Sequence, residues 1–442
     1  MPNNEQNNEK AFMIEKIKER PINKKKLLKK TLGTAVTAVT FGVIASLTFL
    51  ILQPYISKIL YPEEKPRIIV FPEDENEMSP EEMLAENQQN PQQSGKENTF
   101  SQEVQTDSEL LQSLMSTDGY VQMYSALTDY VAELERAMVS VTGIHSGVDW
   151  FNEVQISQYR RSGVVIADNG VEFLILTNYK PLEGADKISV TFYNNKQQEA
   201  RLKSYDSVSG LAIVAVEHSA FGMEEEVLLE EIHIAKLGTS NSKNFIGTPV
   251  VAIGSPTGMT GSVGYGIITA QYTQQTVVDR NYTYWTTDIM GTANSDGVLF
   301  NLQGQIVGVI TDDISGSDYR NTVIGYGITE LKKTIEKLSN EESIPYMGIH
   351  TINVSTEANE EMQVPYGAYI KRVEIDSPAM ISGIQVGDVI TAIGEKEIKS
   401  QNNYAAALMQ LEVGRNAEIT IMRSSQTGYK EIKFHIVPNQ AK

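Results

Sequence analysis

The feature that most constrains this chain is an uninterrupted apolar run near its N-terminus. Residues 31–52 contain no charged side chain. As a helix, these 22 residues are long enough to cross a hydrocarbon layer about 30 Å thick. We therefore predict a transmembrane helix over 31–52. A cleaved signal peptide is the alternative, but the run is longer than the usual apolar region of such peptides and no A-x-A-like site follows it.

The charges around this run set its orientation. Five lysines lie within residues 24–30, directly before the run, whereas the residues after it are nearly neutral and then acidic. Basic residues flanking a membrane helix stay on the cytoplasmic side. The sequence thus predicts a single-pass protein of a bacterial cell membrane, with a basic cytoplasmic tail over 1–30 and the bulk of the chain outside the cytoplasm.

The amino-acid composition excludes several kinds of functional site and argues against others. The chain has no cysteine, so it has no disulfide, thiol nucleophile or cysteine-ligated metal, and a disulfide-free exterior is compatible with a bacterium. The formal net charge of −19 argues against binding nucleic acid. Its five histidines lack the i, i+4 spacing of a helical metal site. We expect no metal and no organic cofactor.

The residues after the membrane helix read as a linker. Residues 61–107 are rich in Glu, Gln, Asn and Pro and poor in large apolar residues, so they cannot bury enough surface to fold alone. We expect an acidic flexible linker over 53–107. A docking motif at 68–71 is the alternative interpretation of its one apolar stretch.

The remainder has the pattern of a mainly β protein with a helical lead-in. Apolar residues recur at helical spacing within 108–142, which predicts one or two helices. Short β-branched and aromatic runs broken by Gly, Asn or Asp then predict a β-barrel or β-sandwich. The stretch ITELKKTIEKLSN predicts a closing helix, with Thr329 as a plausible N-cap.

Four motifs in a fixed order carry a resemblance to a known family. They are LTNYKPL at 176–182, DSVSGLAIVAV at 206–216, GSPTG at 254–258 and TDIMGTANSDGVLFN at 287–301. In order and spacing they resemble the HtrA/Deg family of trypsin-like serine proteases. The resemblance covers residues 127–337. It implies a trypsin-like double β-barrel with the site in the cleft between the barrels, in a domain that spans 108–337 with its helical lead-in.

The same resemblance implies that the catalytic triad is incomplete. Registering the motifs places Lys180 where the family has the catalytic histidine, Gly210 where it has the aspartate, and Ser295 at the nucleophile. A serine hydroxyl is a poor nucleophile until a hydrogen-bonded base takes its proton, and the carboxylate orients that base. We therefore expect an inactive member, in which Ser295 is retained as a turn former.

The oxyanion region also departs from the family pattern. Ala293 replaces the glycine that supplies a backbone N–H, Asn294 follows it, and Asp296 replaces the first glycine after the serine. A carboxylate beside this position opposes a developing oxyanion. The alternative is an active endopeptidase in which Lys180 serves as a non-standard base for Ser295, which requires a desolvated lysine with a lowered pKa.

Residues 346–437 resemble a PDZ domain of the kind that follows HtrA protease domains, and we assign 342–440 to it. In such a domain, backbone N–H groups of a loop bind a peptide carboxylate and the peptide adds as a strand. The resemblance implies peptide-binding residues in the loop and on the groove helix: Tyr346, Met347, Gly348, Ile349, Tyr404 and Leu408. A purely structural role in the core is an equal alternative for Leu408.

Together these features predict a membrane-anchored, extracytoplasmic HtrA-like pseudoprotease. We expect it to bind proteins or C-terminal peptides, as a scaffold, regulator or holdase in envelope protein quality control. The alternative is the active endopeptidase described above. A third hypothesis is co-assembly with an active relative or with itself, as a trimer, through residues 108–142.

Overall fold

The computed structural model describes residues 24–60, 66–72, 116–148, 154–221, 231–241, 245–274, 277–311, 321–426 and 428–440. Helix α1 spans Lys24–Leu60. Within it, Leu32–Phe49 has a mean hydropathy of 1.7 and is long and apolar enough to cross a membrane. The helix therefore includes residues 53–60, which the sequence assigned to the linker. Residues Lys65–Lys442 form a separate compact unit.

A lead-in helix precedes the first barrel. Helix α2 (Thr117–Glu135) is capped by Ser116, whose hydroxyl accepts a hydrogen bond from the Gly119 N–H. It contains the predicted apolar positions Tyr130, Val131 and Leu134. The earlier apolar positions of the predicted lead-in, residues 110–115, lie outside the described residues.

The first barrel is closed by six antiparallel strands in the order β1-β2-β3-β6-β5-β4. Its strands are β1 Met138–Val148, β2 Val154–Asp168, β3 Glu172–Asn178, β4 Lys187–Phe192, β5 Gln197–Asp206 and β6 Leu211–Glu217. Strand β3 ends at Asn178, within the LTNYKPL motif.

The second barrel also has six strands, in the order β11-β8-β9-β10-β13-β12, and pairing of β11 with β12 closes it. A short strand, β7, adds parallel to β12. The strands are β7 Lys236–Leu237, β8 Pro249–Ser255, β9 Ser262–Gln274, β10 Tyr282–Met290, β11 Asp296–Asn301, β12 Gln305–Ile310 and β13 Thr322–Gly327. The predicted double β-barrel is confirmed.

Alternating strand residues divide between two kinds of core. On β3, Phe173 and Ile175 point into the first barrel, whereas Leu174 and Leu176 pack into a core shared with the second barrel. Strand β8 alternates in the same way over 250–253. Successive side chains of a strand point to opposite faces. A strand that is apolar on both faces therefore fills its own barrel with one set of side chains and packs against the other barrel with the next.

Helix α3 (Ile328–Ser339) closes the second barrel and contributes to the shared core through Ile328, Leu331, Ile335 and Leu338. Its N-cap is Gly327 rather than the predicted Thr329. The Thr329 hydroxyl instead accepts a hydrogen bond from the Ser240 N–H of a neighbouring loop.

Residues 66–72, which the sequence assigned to the flexible linker, lie against the protease-fold domain. Asn340, at the end of α3, bonds both backbone groups of Ile69: its Oδ1 accepts from the Ile69 N–H at 2.9 Å and its Nδ2 donates to the Ile69 carbonyl at 2.7 Å. The Arg67 N–H donates to the Asn169 carbonyl at the β2–β3 turn. Ile69 and Phe71 pack against the shared core. This part of the expected linker is therefore a structural element of the domain.

The C-terminal domain has its own core around a sheet in the order β15-β16-β17-β19-β20, with β18 beside β17. A separate pair, β14 and β21, joins the beginning and the end of the domain. The elements are β14 Pro345–Tyr346, β15 Ile349–Asn353, α4 Thr356–Met362, β16 Ala368–Val373, α5 Pro378–Ser382, β17 Val389–Ile393, β18 Lys396–Glu397, α6 Gln401–Leu408, β19 Ala417–Ser425, β20 Gly428–Ile436 and β21 Asn439–Gln440.

Candidate active site and peptide groove

The Ser295 hydroxyl is held inside its own turn. Its O–H donates to the Pro256 carbonyl at 2.5 Å, and its oxygen accepts from the Thr292 N–H at 2.7 Å. The residue is only 5% exposed. Both bonds are to backbone groups that cannot accept a proton at neutral pH. Neither of these two groups can act as the base that a serine nucleophile requires.

The backbone amides beside Ser295 are also used locally. The Ser295 N–H donates to the Thr292 carbonyl at 3.1 Å, and the Asn294 N–H donates to the Thr292 hydroxyl at 3.3 Å. Ala293 and Asn294 are exposed. An oxyanion hole needs N–H groups that converge on a vacant position. The Ser295 amide points into its own turn instead.

Lys180 begins a short 3-10 helix, Lys180–Leu182, directly after strand β3. Its backbone N–H donates to Asn178 Oδ1 at 3.0 Å, and its side chain is exposed. Among the contacts of the described residues, no hydrogen bond joins the Lys180 amine to Ser295.

Gly210 closes the turn between β5 and β6 in a left-handed conformation, with φ +70°. Its N–H donates to the Asp206 carbonyl at 2.9 Å, and its carbonyl accepts from the Tyr179 N–H at 2.8 Å. A Cβ built on Gly210 would meet nothing within 4 Å. The space therefore admits a side chain, but the backbone conformation favours glycine.

A buried ion pair that the sequence did not suggest fixes this turn. The Arg280 guanidinium binds both oxygens of Asp206, one of them at 3.1 Å, and donates to the Tyr282 hydroxyl at 2.9 Å. Asp206 also accepts from the N–H and O–H of Ser209, at 2.9 and 2.6 Å. Burial alone would raise the pKa of Asp206, but Arg280 and Ser209 outweigh it and hold that pKa below its ordinary value.

Asp296 joins the two barrels. Its carboxylate accepts from the N–H of Ser162 on β2 at 3.0 Å and from the Ser162 hydroxyl at 2.6 Å. Arg161 Nε lies 3.7 Å away. Asp296 and Ser209 line a cavity of about 30 Å³ between the barrels, which is room for about one water molecule. The charge expected to face an oxyanion is thus used in a structural contact.

The predicted carboxylate-binding loop of the C-terminal domain is occupied by a side chain from the second barrel. Asp279 lies in the turn before β10. Its Oδ2 accepts from the N–H groups of Met347 and Gly348, both at 2.7 Å, and its Oδ1 accepts from the Ile349 N–H at 3.0 Å. The Tyr404 hydroxyl donates to Oδ1 at 2.7 Å. The loop can therefore bind a carboxylate, and in this structure it binds that of Asp279.

The predicted groove residues divide into two groups. Tyr404, on α6, reaches the loop through its hydroxyl, and Gly348 has φ +81° with Ser377 so close that a Cβ there would lie 2.3 Å from its side chain. Leu408 and Met347 are buried in the domain core. Tyr346 is half-buried beside the loop.

Two family models match the chain. Residues 161–309 match the trypsin-like peptidase domain, and residues 345–434 match the PDZ domain. The serine protease Do-like HtrB of Bacillus subtilis is 26% identical over 69% of this chain and 69% of its own length. The serine protease Do-like HtrA of Lactococcus lactis subsp. cremoris is 25% identical over 67% of this chain and 75% of its own. The chain is similar to HtrA-type serine proteases.

The fold of this chain is also that of a solved protein. The HtrA-type protease AlgW, solved with a decapeptide, superimposes with a TM-score of 0.53 at 19% identity, covering 71% of this chain and 98% of AlgW. The order of a double β-barrel followed by a PDZ domain is therefore the one that the sequence motifs predicted.

Proposed function

We propose that this chain is an HtrA-family pseudoprotease, which binds polypeptides without hydrolysing them and serves as a scaffold, regulator or holdase in envelope protein quality control. The observation that carries the proposal is the Ser295 hydroxyl, whose proton is donated to the Pro256 carbonyl. An acyl-enzyme forms only if a base removes that proton. Neither Lys180 nor Gly210 is hydrogen-bonded to Ser295.

The surroundings of Ser295 support the same proposal. A tetrahedral intermediate requires N–H donors aimed at its oxyanion, and the Ser295 N–H is directed to the Thr292 carbonyl. The Asp296 carboxylate adds negative charge close to the position where the oxyanion would form. Each change removes a different contribution to catalysis, so repairing one of them alone does not restore it.

Cleavage of casein and labelling by a fluorophosphonate test this proposal. We expect the full chain and its Ser295→Ala variant to be equally inert in both assays, beside an HtrA protease with an intact triad as the positive control. Cleavage by the unaltered chain that is lost in Ser295→Ala would refute the proposal. The base would then have to be sought, beginning with Lys180.

A Lys180→His, Gly210→Asp double variant sharpens the test. The two substitutions supply the missing triad side chains but leave the hydroxyl of Ser295 bonded to Pro256. We expect this variant to remain inactive against casein. Recovery of cleavage would mean that the turn at Ser295 rearranges readily and that only the triad was missing.

The peptide-binding part of the proposal rests on the carboxylate loop of the PDZ domain. Three N–H groups of residues 347–349 converge on one carboxylate. The complex of AlgW with a decapeptide supports peptide binding by a related fold. We propose that this chain binds C-terminal peptides through the same loop.

We further propose that α1 anchors the chain in the cell membrane with its N-terminus in the cytoplasm. The apolar window Leu32–Phe49 and the five lysines within 24–30 support this orientation. In membrane fractions from expressing cells, the protein should resist alkaline extraction, and external protease should digest all but a short N-terminal fragment. Release of the intact chain by alkali would contradict anchoring.

Self-association through the lead-in helix is the last part of the proposal. On α2, Tyr120 and Val121 are each 59% exposed, and Tyr124 stacks edge-on against Tyr265 of β9. Such an apolar surface is typical of an interface between subunits. We expect the detergent-solubilised chain to be a trimer by light scattering and Val121→Lys to be a monomer. An unaltered mass in Val121→Lys would exclude this surface as the interface.

A further inference from the structure

Asp279 contacts the PDZ domain as the last residue of a bound peptide would. Its side-chain carboxylate takes the three loop N–H groups, while its own backbone N–H donates to the Ile349 carbonyl at 2.7 Å. Ile349 is the first residue of β15, so this bond continues the main-chain pairing of that strand. A C-terminal peptide adds to a PDZ strand through the same two kinds of contact: carboxylate to loop, and backbone to strand.

The contact is well buried and is held from both sides. Asp279 is 2% exposed, and the next residue, Arg280, is fixed to Asp206 within the protease-fold domain. On the PDZ side, Asn281 Nδ2 donates to Asn402 Oδ1 of α6 at 2.7 Å. The turn that carries Asp279 is therefore positioned before any ligand arrives. Its carboxylate acts at a high effective concentration, as tethered ligands do.

The loop cannot hold Asp279 and a peptide carboxylate together. Each of the three N–H groups has one hydrogen, and each of these hydrogens is directed to Asp279 at 2.7–3.0 Å between heavy atoms. A second carboxylate would have to enter beside the first in a buried place, and among the described residues no Lys or Arg side chain bonds the Asp279 carboxylate there. One carboxylate must leave before the other binds.

We propose that Asp279 is an internal ligand that closes the carboxylate site of the PDZ domain, and that a C-terminal peptide binds only by displacing it. This inference rests on the peptide-binding part of the proposed function. The ligand is a free chain terminus, because its carboxylate and the adjacent N–H must replace those of Asp279. The released turn then leaves the PDZ domain, so peptide binding also breaks this contact with the second barrel.

The size of the effect depends on the fraction of molecules in which Asp279 occupies the loop. For an occupied fraction of about nine in ten, only about one molecule in ten is competent to bind, and the apparent dissociation constant for a peptide rises about tenfold. Removing the Asp279 carboxylate should therefore tighten peptide binding about tenfold or more. The gain should be confined to peptides with a free carboxylate.

Fluorescence anisotropy on the full chain in detergent micelles tests this proposal. The probe is a labelled pool of decapeptides with apolar residues at the last three positions, used once with a free carboxyl terminus and once as the C-terminal amide. The variants are Asp279→Ala and the near-isosteric Asp279→Asn, which keeps the test available should the alanine variant not fold. Asp288→Asn is the matched control, because Asp288 accepts instead from the Ile267 N–H, at 2.7 Å.

We expect both Asp279 variants to bind the free-acid pool about tenfold or more tightly than the unaltered chain and Asp288→Asn, and the amide pool to bind weakly throughout. Equal affinity of the unaltered chain and the Asp279 variants for the free-acid pool would overturn the internal ligand and leave peptide binding intact. Equal affinity for acid and amide, or no binding by any variant, would overturn the carboxylate site itself and the peptide-binding function with it.

Discussion

Replacing Asp296 by alanine should destabilise the joined barrels rather than restore catalysis. The carboxylate accepts two hydrogen bonds from Ser162, at 3.0 and 2.6 Å, and both donors are buried. A hydrogen bond to a charged group contributes about 1.5–3 kcal/mol, so the two together contribute about 3–6 kcal/mol. The cavity beside Asp296 admits a water that can replace one bond, which favours the lower end, about 3 kcal/mol. For a domain of this size, that corresponds to a fall in Tm of about 6–12 °C.

Thermal unfolding of the full chain in detergent micelles, followed by circular dichroism, measures this loss. A double-mutant cycle of Asp296→Ala with Ser162→Ala isolates the bond between the two side chains, for which we expect a coupling free energy of about 1.5–3 kcal/mol. The matched control is Asp288→Ala, which removes an exposed carboxylate of the same barrel. Its hydrogen bond from the Ile267 N–H is exposed, so water can replace it, and the free energy of unfolding should change by less than about 1 kcal/mol.

Two results would refute this reasoning. A loss of stability in Asp296→Ala no larger than in Asp288→Ala would mean that the carboxylate does not join the barrels. Casein cleavage by Asp296→Ala that disappears on adding Ser295→Ala would mean that Asp296 suppresses an otherwise competent site. In that case the hydrogen bond between Ser295 and Pro256 would not be what keeps the hydroxyl inactive.

Three further predictions follow from local geometry. Gly210→Ala should lower Tm by a few degrees, because an L-residue at φ +70° costs about 1–2 kcal/mol; an unchanged melting curve would contradict this. Burial raises the pKa of the Asp279 carboxyl, so its docked form holds a proton more readily than its released form and docking strengthens as the pH falls. Peptide affinity of the unaltered chain, measured by anisotropy, should therefore decrease from pH 7 to pH 5, and the decrease should be smaller in Asp279→Asn. An equal decrease in the two proteins would contradict this prediction. Asn340→Ala removes two bonds to Ile69, worth about 2 kcal/mol together, and should speed tryptic cleavage after Arg67 by about 30-fold; an unchanged rate would show that the segment is held by other contacts.

Much of the fold could be predicted because local patterns determine it. The turn residues and β-branched runs between residues 162 and 313 predicted most of the barrel strands, and the order of four motifs predicted the double barrel. Strand β1, which begins at Met138 within the expected helical lead-in, was not predicted. The segment at 66–72 was harder to assign. It contains apolar residues, but the stretch around it is so rich in polar residues that its average composition predicts a flexible linker. The hydrogen-bond partner of Ile69 is Asn340, the residue that ends α3, 271 positions later in the chain.

The least predictable contacts are those that charged side chains make with residues far away in the sequence. Asp279 and Arg280 stand in a turn that resembles any polar turn, and nothing nearby indicates that their partners are residues 347–349 and Asp206. Asp296 was singled out in the sequence as a departure from the family pattern. Its role could not be derived, because the direction of a carboxylate at the start of a strand depends on whether a donor such as Ser162 faces it from the other barrel.

The docking of residues 66–72 determines what the acidic stretch after them connects. Residue 72 is held at α3 and residue 116 caps α2, so residues 73–115 begin and end on the same folded body. Both ends of the stretch therefore belong to the same compact unit, Lys65–Lys442. A single cut within it would leave two polypeptides that remain associated through the contacts of Ile69 and Phe71 with the shared core. If α1 anchors the chain as proposed, release of the body by proteolysis would thus require a cut on the N-terminal side of Ile69, as after Arg67.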